Sequence, residues 1–340
     1  MKPPIRLKPV SGHRISPYQI ITRVCQIAGR KSFTRSIVCH CDQSGLTSAV
    51  KRRDTPALFD WLMGYFSMQG VSDYVAMSYV AEHGNAEFAQ ITALLSETSA
   101  PCEKLQSFER FVSCGYSKSA QTCAHPDQFS DCPLPKLPLR KGQLNQAAFS
   151  IYLFMADICN GDLVGFIDQT LKSANQPGHP DQLALMRTAL VDSLMAVFGI
   201  SRKLIHMTLA DLLIGCGEKR PHWQPVGQSM IAVDSLVHNF LHRSGILYAY
   251  DANHAFGPAC YGPYGCEVII DDLARQIDAR QFNRSNPAYY PRYIQNAIWR
   301  FCAEGGLAIC NGRNIDDTAR CQFSDCDLFK TCGRVPLNPA

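Results

Sequence analysis

Apolar positions recur at three- and four-residue steps along most of the chain, the rhythm of one face of an α-helix. The pattern is strongest over residues 56–82, 146–172 and 183–214. It returns from Asp271 to Ile277 and again from Tyr290 to Gly305. Strict apolar–polar alternation is scarce and no internal repeat is evident, so the expected fold class is all-α. Pro- and Gly-rich breaks at 125–142, 176–180, 217–227 and 257–265 separate the helical stretches. Two of these breaks carry cysteines and read as ordered loops rather than free linkers. The last thirty residues are short of apolar side chains and punctuated by cysteine, so they need help to pack.

The chain has 340 residues, 46% hydrophobic and 18% charged, enough for one large domain or two packed ones. It is too apolar for a disordered chain and has no apolar run long enough to cross a bilayer. The opening MKPPIRLKPVSGH is basic without an apolar core, so the expected compartment is the cytoplasm. Sixteen cysteines in a reducing compartment point to metal or iron–sulfur ligation. The net charge of +4 hides an asymmetry. Lys2, Arg6, Lys8, Arg14, Arg23, Arg30, Lys31, Arg35, Lys51, Arg52 and Arg53 face only Asp42 and Asp54 within residues 1–55, leaving the rest of the chain net acidic. A segregated basic segment is the electrostatic footprint of a phosphate-backbone contact, although a solvated basic arm has the same composition.

Three local patterns carry candidate chemistry. In VFGISRKLIHMTLADLLIG, residues 197–215, one apolar helix ends, Gly199 turns the chain, and a second helix starts within a few residues. Such a turn points N–H groups and the positive end of a helix outward, with Arg202 and Lys203 in its first turn, and so suits a phosphate oxygen. An ordinary helical hairpin with surface basic residues reads the same way. In MIAVDSLVHNFLHRSGIL, residues 230–247, Asp234 precedes the run Leu236, Val237, Phe240, Leu241 and is expected to cap a helix. His238 and His242 follow Asp234 at four-residue steps and imitate a metal triad, but read better as partly buried histidines behind a cap. In the tail, Cys310, Cys321, Cys326 and Cys332 supply four thiolates, suited to a tetrahedral zinc ion or to a [4Fe–4S] cluster. Cys302 is an alternative to Cys310. Cys102, Cys114, Cys123 and Cys132, with His125 nearby, form a looser set that could hold a second metal, with Cys39-His40-Cys41 as a distant complement.

The hairpin Val197-Phe198-Gly199-Ile200-Ser201-Arg202-Lys203 resembles the L-P-G-V-G-R-K hairpin of the helix-hairpin-helix DNA glycosylases. Ala232-Val233-Asp234-Ser235-Leu236-Val237 resembles the A-V-D-T-H-V run of that family. Phe66-Ser67-Met68-Gln69-Gly70-Val71-Ser72-Asp73 is similar to its L-S-A-Q-A-T-D stretch, and Cys114-Gly115-Tyr116-Ser117-Lys118-Ser119-Ala120 to its G-L-Y-N-S-K-A turn. The likeness is to the endonuclease III branch, whose chains end in a four-cysteine [4Fe–4S] loop after a helix. It departs at Phe198 and Ser201, which replace a proline and a glycine, and in a longer Lys-to-Asp interval, with an insertion at Cys216–Gln228. Residues 1–55, 121–145 and 250–270 are unmatched.

The resemblance implies two helical domains: 56–228 with the hairpin, and 1–55 joined to 229–340 with a [4Fe–4S] cluster on Cys310, Cys321, Cys326 and Cys332. Arg313, Arg320 and Lys330 beside that loop would meet phosphates. It implies a base-excision enzyme acting on double-stranded DNA with a damaged or modified base, with no membrane and no obligate protein partner, and nucleoid-associated when bound. Lys203 falls on the catalytic lysine and Asp234 on the catalytic aspartate. Gln69 falls on the residue that fills the gap left by the extruded base, and Gly199, Ile200, Ser201 and Arg202 on the DNA-binding hairpin. A lysine at that position implies a glycosylase that is also a lyase. Two other classes remain: a non-catalytic iron–sulfur protein recognising distorted or foreign modified DNA, and a redox protein built on two clusters.

Overall fold

The computed structural model describes residues 16–98, 102–128, 131–137 and 139–338; Lys2, Arg6, Lys8 and Arg14 of the basic segment lie outside them. The regular structure of the described residues is almost entirely helical, and the all-α class follows. In order it forms α1 (Pro17–Ala28), α2 (Phe33–Gln43), α3 (Leu46–Arg52), α4 (Thr55–Phe66), α5 (Asp73–His83), α6 (Phe88–Glu97), α7 (Phe108–Phe111) and α8 (Asn145–Leu153). There follow α9 (Leu163–Ala174), α10 (Gln182–Leu194), α11 (Arg202–Gly215), α12 (Trp223–Ser229), α13 (Ser235–Arg243), α14 (Ile246–Ala249), α15 (Cys266–Gln276) and α16 (Pro291–Cys302). A small antiparallel ladder pairs β1 (Tyr116–Ser117) with β2 (Thr122–Cys123). Among the described residues no single helix is long and apolar enough to cross a membrane.

Two compact units divide the chain. One is made by the described residues of Met1–Ile37 and Gly227–Ala340, the other by Val38–Val226. In the first, α16 packs against α1, α13 and α15. Its inner face carries Ile294, Ala297, Ile298 and Phe301, and Phe301 meets Phe240 of α13 edge-on at 5.8 Å between ring centres. In the second, α4 packs against α3, α6, α8, α9 and α11. Leu58, Phe59, Leu62, Met63 and Phe66 of α4 are buried there, as are Leu209, Leu212 and Leu213 of α11.

The long periodic stretches break where local chemistry demands. Residues 56–82 divide into α4 and α5 at a turn holding Gly70 at φ +72°. Residues 146–172 divide into α8 and α9: the last turn widens into a π-helix at Phe154–Ile158, and Asn160 and Gly161 both take positive φ. At the second break both sides bury apolar residues, Phe149 and Leu153 of α8 and Leu163, Ile167 and Leu171 of α9. At the first they do not: α5 buries Ala76 but leaves Tyr74, Val75 and Met77 exposed, so its apolar periodicity is not that of a core helix. The described part of the basic segment is not an arm. It forms α1, α2 and α3, with Ile20, Ile21 and Val24 of α1 buried and Arg23, Arg30, Lys31, Arg35, Lys51, Arg52 and Arg53 left at the surface.

Candidate functional site

In the second unit, α10 ends at Leu194, earlier than the apolar run to Phe198 suggests, and α11 begins at Arg202. Gly199 makes the turn between them at φ +75°, where an L side chain would be strained. Ser201 caps α11, its hydroxyl accepting the Leu204 N–H at 3.4 Å. The Ser201 N–H itself donates to the side-chain carbonyl of Gln69 at 3.0 Å. Two donors at this helix start, expected to point outward unpaired, are therefore occupied by the protein. Phe198 N–H donates to Ser150 Oγ at 2.8 Å, fixing the turn on α8. Ile200 is buried beneath it, and Lys203 sits half-buried at the second position of α11. Arg202 turns back to Asp192 at 2.7 Å, which takes up part of the charge expected to attract an anion.

Two further cations complete this place. Lys118 lies over the Phe198 ring, 5.3 Å from its centre, and its ammonium would be 3.5 Å from a Cβ at Gly199. Arg140 donates to the backbone carbonyls of Ser67, at 3.3 Å, and of Gln69, clamping the turn after α4. Sequence reasoning gave neither residue a role. Lys118 lay inside the recognised 114–120 pattern, which was the available signal. Arg140 stands in a Pro-rich break with no pattern to mark it. So the stretches around Gln69, Lys118 and Gly199–Ser201, far apart in sequence, meet at one turn.

In the first unit, Asp234 caps α13 as expected, accepting the Val237 N–H at 2.9 Å. It is half-buried. The preceding residue is held on both sides: Val233 N–H donates to the Tyr261 hydroxyl at 2.9 Å, and that hydroxyl donates to the Val233 carbonyl at 3.2 Å. The unmatched 250–270 loop thus supports the backbone that presents Asp234.

Cys310, Cys321, Cys326 and Cys332 line one enclosed cavity with Phe240, Phe301, Ile315, Leu328 and Phe329. The tail is strapped to the end of α13: Gly333 N–H donates to the Ser244 carbonyl at 2.9 Å and Val335 N–H to that of Arg243 at 2.9 Å. Arg243 is buried beside the thiols and paired with Asp317. Burial, followed by the neighbouring sulfurs, pushes Cys332 up to about 12. Cys302 is fully buried and hydrogen-bonded to Cys310, which is held below the usual thiol value by that bond first and by Arg243 as well. Cys310, not Cys302, faces the cavity. Of the neighbouring basic residues, Arg313 pairs with Glu304 at 2.7 Å, while Arg320 and Lys330 are exposed.

Two other thiol groups take shape. Cys102, Cys114, Cys123 and Cys132 line one pocket around the β1–β2 ladder, with His125 at its wall. Cys39 and His40 are exposed, and Cys41 turns instead to Cys216 and to the Asp211 carbonyl at 3.5 Å. The tightest group was missed by the sequence reading. His238, His254, Cys260 and Cys266 bring their donor atoms within 4.8 Å of one another and can hold a metal ion. Its signal was a histidine and two cysteines in the unmatched loop, but no familiar ligand spacing joins them to His238. His242 stands outside, its Nε2 3.0 Å from the Tyr248 hydroxyl. No family model, curated protein or solved structure matches this chain.

Proposed function

We propose that this protein is a DNA glycosylase of the helix-hairpin-helix type, with a [4Fe–4S] cluster on Cys310, Cys321, Cys326 and Cys332. The observation that supports it most is the meeting of Gln69, Lys118 and the Gly199–Ser201 turn. Two stretches that resemble the family's DNA-binding elements and one that resembles a turn lying between them in that family come together here, as they would in a chain of that type. A turn with a helix N-terminus and an ammonium suits a backbone phosphate.

The reaction requires the target nucleotide to leave the stack. Gln69 fills the space it vacates. Lys203, once deprotonated, attacks the sugar C1′ as the bond to the base breaks; the electron pair leaves with the base, which takes up a proton. The lysine adduct opens to a Schiff base, from which elimination cleaves the strand. Asp234 stabilises the positive charge that develops on the sugar. The four tail thiols fit a cluster in number, softness and common cavity, and the group would cross-link a loop otherwise too poor in apolar residues to fold. The substrate is a damaged or modified base in duplex DNA.

Borohydride trapping against duplexes bearing abasic sites, oxidised pyrimidines, oxidised purines, uracil and mismatches tests this directly. A covalent adduct that disappears in Lys203→Ala is the expected result. Base release without an adduct would leave a monofunctional glycosylase, and DNA binding with neither would favour the non-catalytic reading.

A further inference from the structure

We propose that His238, His254, Cys260 and Cys266 form a closed structural zinc site, separate from the tail cysteines. His238 Nδ1 lies 3.4 Å from Cys266 Sγ and 3.5 Å from Cys260 Sγ, and His254 Nε2 lies 3.4 Å from Cys266 Sγ. Zinc–sulfur and zinc–nitrogen bonds of about 2.3 and 2.0–2.1 Å at tetrahedral angles require nitrogen–sulfur separations of about 3.6 Å. The three nitrogen–sulfur separations lie close to that value, and all four donor atoms fall within 4.8 Å of one another. An iron–sulfur cube would hold its thiolates farther apart, because several metal atoms stand between them.

The surroundings fix the ligand forms. His254 Nδ1 is 2.6 Å from the Ala252 carbonyl, so that nitrogen carries the proton and Nε2 is left bare toward the sulfurs. Cys260 and Cys266 are fully buried, His238 is nearly so and His254 is partly buried, and with four protein donors converging the coordination sphere is filled by the chain itself. Gly265 is indispensable to the approach: a Cβ there would stand 2.3 Å from the Cys260 carbonyl oxygen and 2.4 Å from that of Ala259. Two imidazoles and two thiolates select zinc over magnesium, calcium or manganese, which want oxygen. The four ligands come from α13, the 250–266 loop, the short 3₁₀ turn at Pro258–Tyr261 and the first residue of α15. Metal binding would displace the thiol protons and staple the loop to both helices. Tyr261, one residue past the ligand Cys260, then holds Val233 and with it the cap at Asp234. Nothing in this site depends on the DNA reading.

The test is metal analysis of the full chain purified under reducing conditions, with zinc-edge X-ray absorption on the same sample. The expected result is about one zinc per chain, with two sulfur and two nitrogen neighbours at about 2.3 and 2.0–2.1 Å. His254→Ala and Cys260→Ser should lose the zinc and keep the iron, while His125→Ala keeps both. A four-sulfur shell, iron in place of zinc, a Cys260–Cys266 disulfide, or no zinc uptake after reconstitution would each overturn the assignment. The absorption measurement needs no variant, so a misfolded mutant does not weaken the test.

Discussion

The side-chain carbonyl of Gln69 accepts the N–H of Ser201 at 3.0 Å, tying the turn after α4 to the cap of α11. Both residues belong to the proposed DNA surface, yet each occupies the other. A phosphate that took the Ser201 N–H would release Gln69, and a released Gln69 would be free to enter the duplex. Backbone contact and gap filling would then be one coupled event.

Gln69→Ala and Gln69→Glu separate the two roles. The alanine variant should lose about 1 kcal/mol of stability with the hydrogen bond and lose gap filling, read as slower base extrusion with a fluorescent base analogue. The glutamate variant keeps an acceptor for Ser201 and should stay folded. It places a negative charge where the phosphate must come, so its affinity for duplex DNA should drop about tenfold at low salt, with a smaller drop at high salt. Unchanged affinity, measured by anisotropy, would remove the phosphate from this turn.

Asp234 caps α13 through its carboxylate, and the proposed stabilisation of the sugar charge would be a second, separable job. Asparagine caps about as well as aspartate, so Asp234→Asn should unfold within a few tenths of a kcal/mol of the parent while base release slows by orders of magnitude. Asp234→Ala should in addition cost about 1 kcal/mol from the lost cap. Single-turnover base release and thermal melts on both variants check the pair. A base-release rate for the asparagine variant within a few-fold of the parent would leave Asp234 as a cap only.

Helical periodicity made the all-α class legible, because each core-facing helix must repeat its apolar residues whatever it packs against. The Asp234 cap was legible for a similar reason: capping is local chemistry, settled within three residues. The pairing of Ser201 with Gln69 was not, since no local rule couples residues that only tertiary packing brings together. The His238, His254, Cys260 and Cys266 group escaped for the same reason: a helix, a loop, a turn and a second helix start contribute one ligand each. Composition left a solvated arm open as one reading of the basic segment because its charges dominate, while Ile20, Ile21 and Val24 define the buried face of a helix.

Cys216 and Cys41 are shifted in opposite directions by their mutual hydrogen bond, and the asymmetry makes a test of thiol chemistry. The hydrogen bond from Cys41 holds Cys216 below the usual thiol value, while burial together with that same bond raises Cys41. Burial pushes Cys159 up to about 12. Since the thiolate is the reactive form, iodoacetamide should label Cys216 well before Cys159 at neutral pH. As pH falls, labelling of Cys216 should persist below the range where an ordinary thiol fades. Peptide mass spectrometry over a pH series reads both, and in Cys41→Ala the advantage of Cys216 should shrink.

The tail depends on a buried cation as much as on its thiols. Arg243 is buried at the end of α13, its carbonyl accepts the Val335 N–H, and its guanidinium pairs with Asp317 beside the four-cysteine cavity. Asp317→Asn removes the carboxylate paired with that guanidinium. Because Asp317 is 41% exposed, the cost should be about 2 kcal/mol, less than for a fully buried pair. Cys326→Ser would remove a ligand of the proposed cluster instead, and the expected result is loss of brown colour, of about four irons per chain and of soluble protein together. Asp317→Asn should retain the iron while melting earlier. Iron content and melting temperature on the two variants distinguish ligation from packing, and a colourless Cys326→Ser protein of parental stability would mean that the loop folds without its cluster.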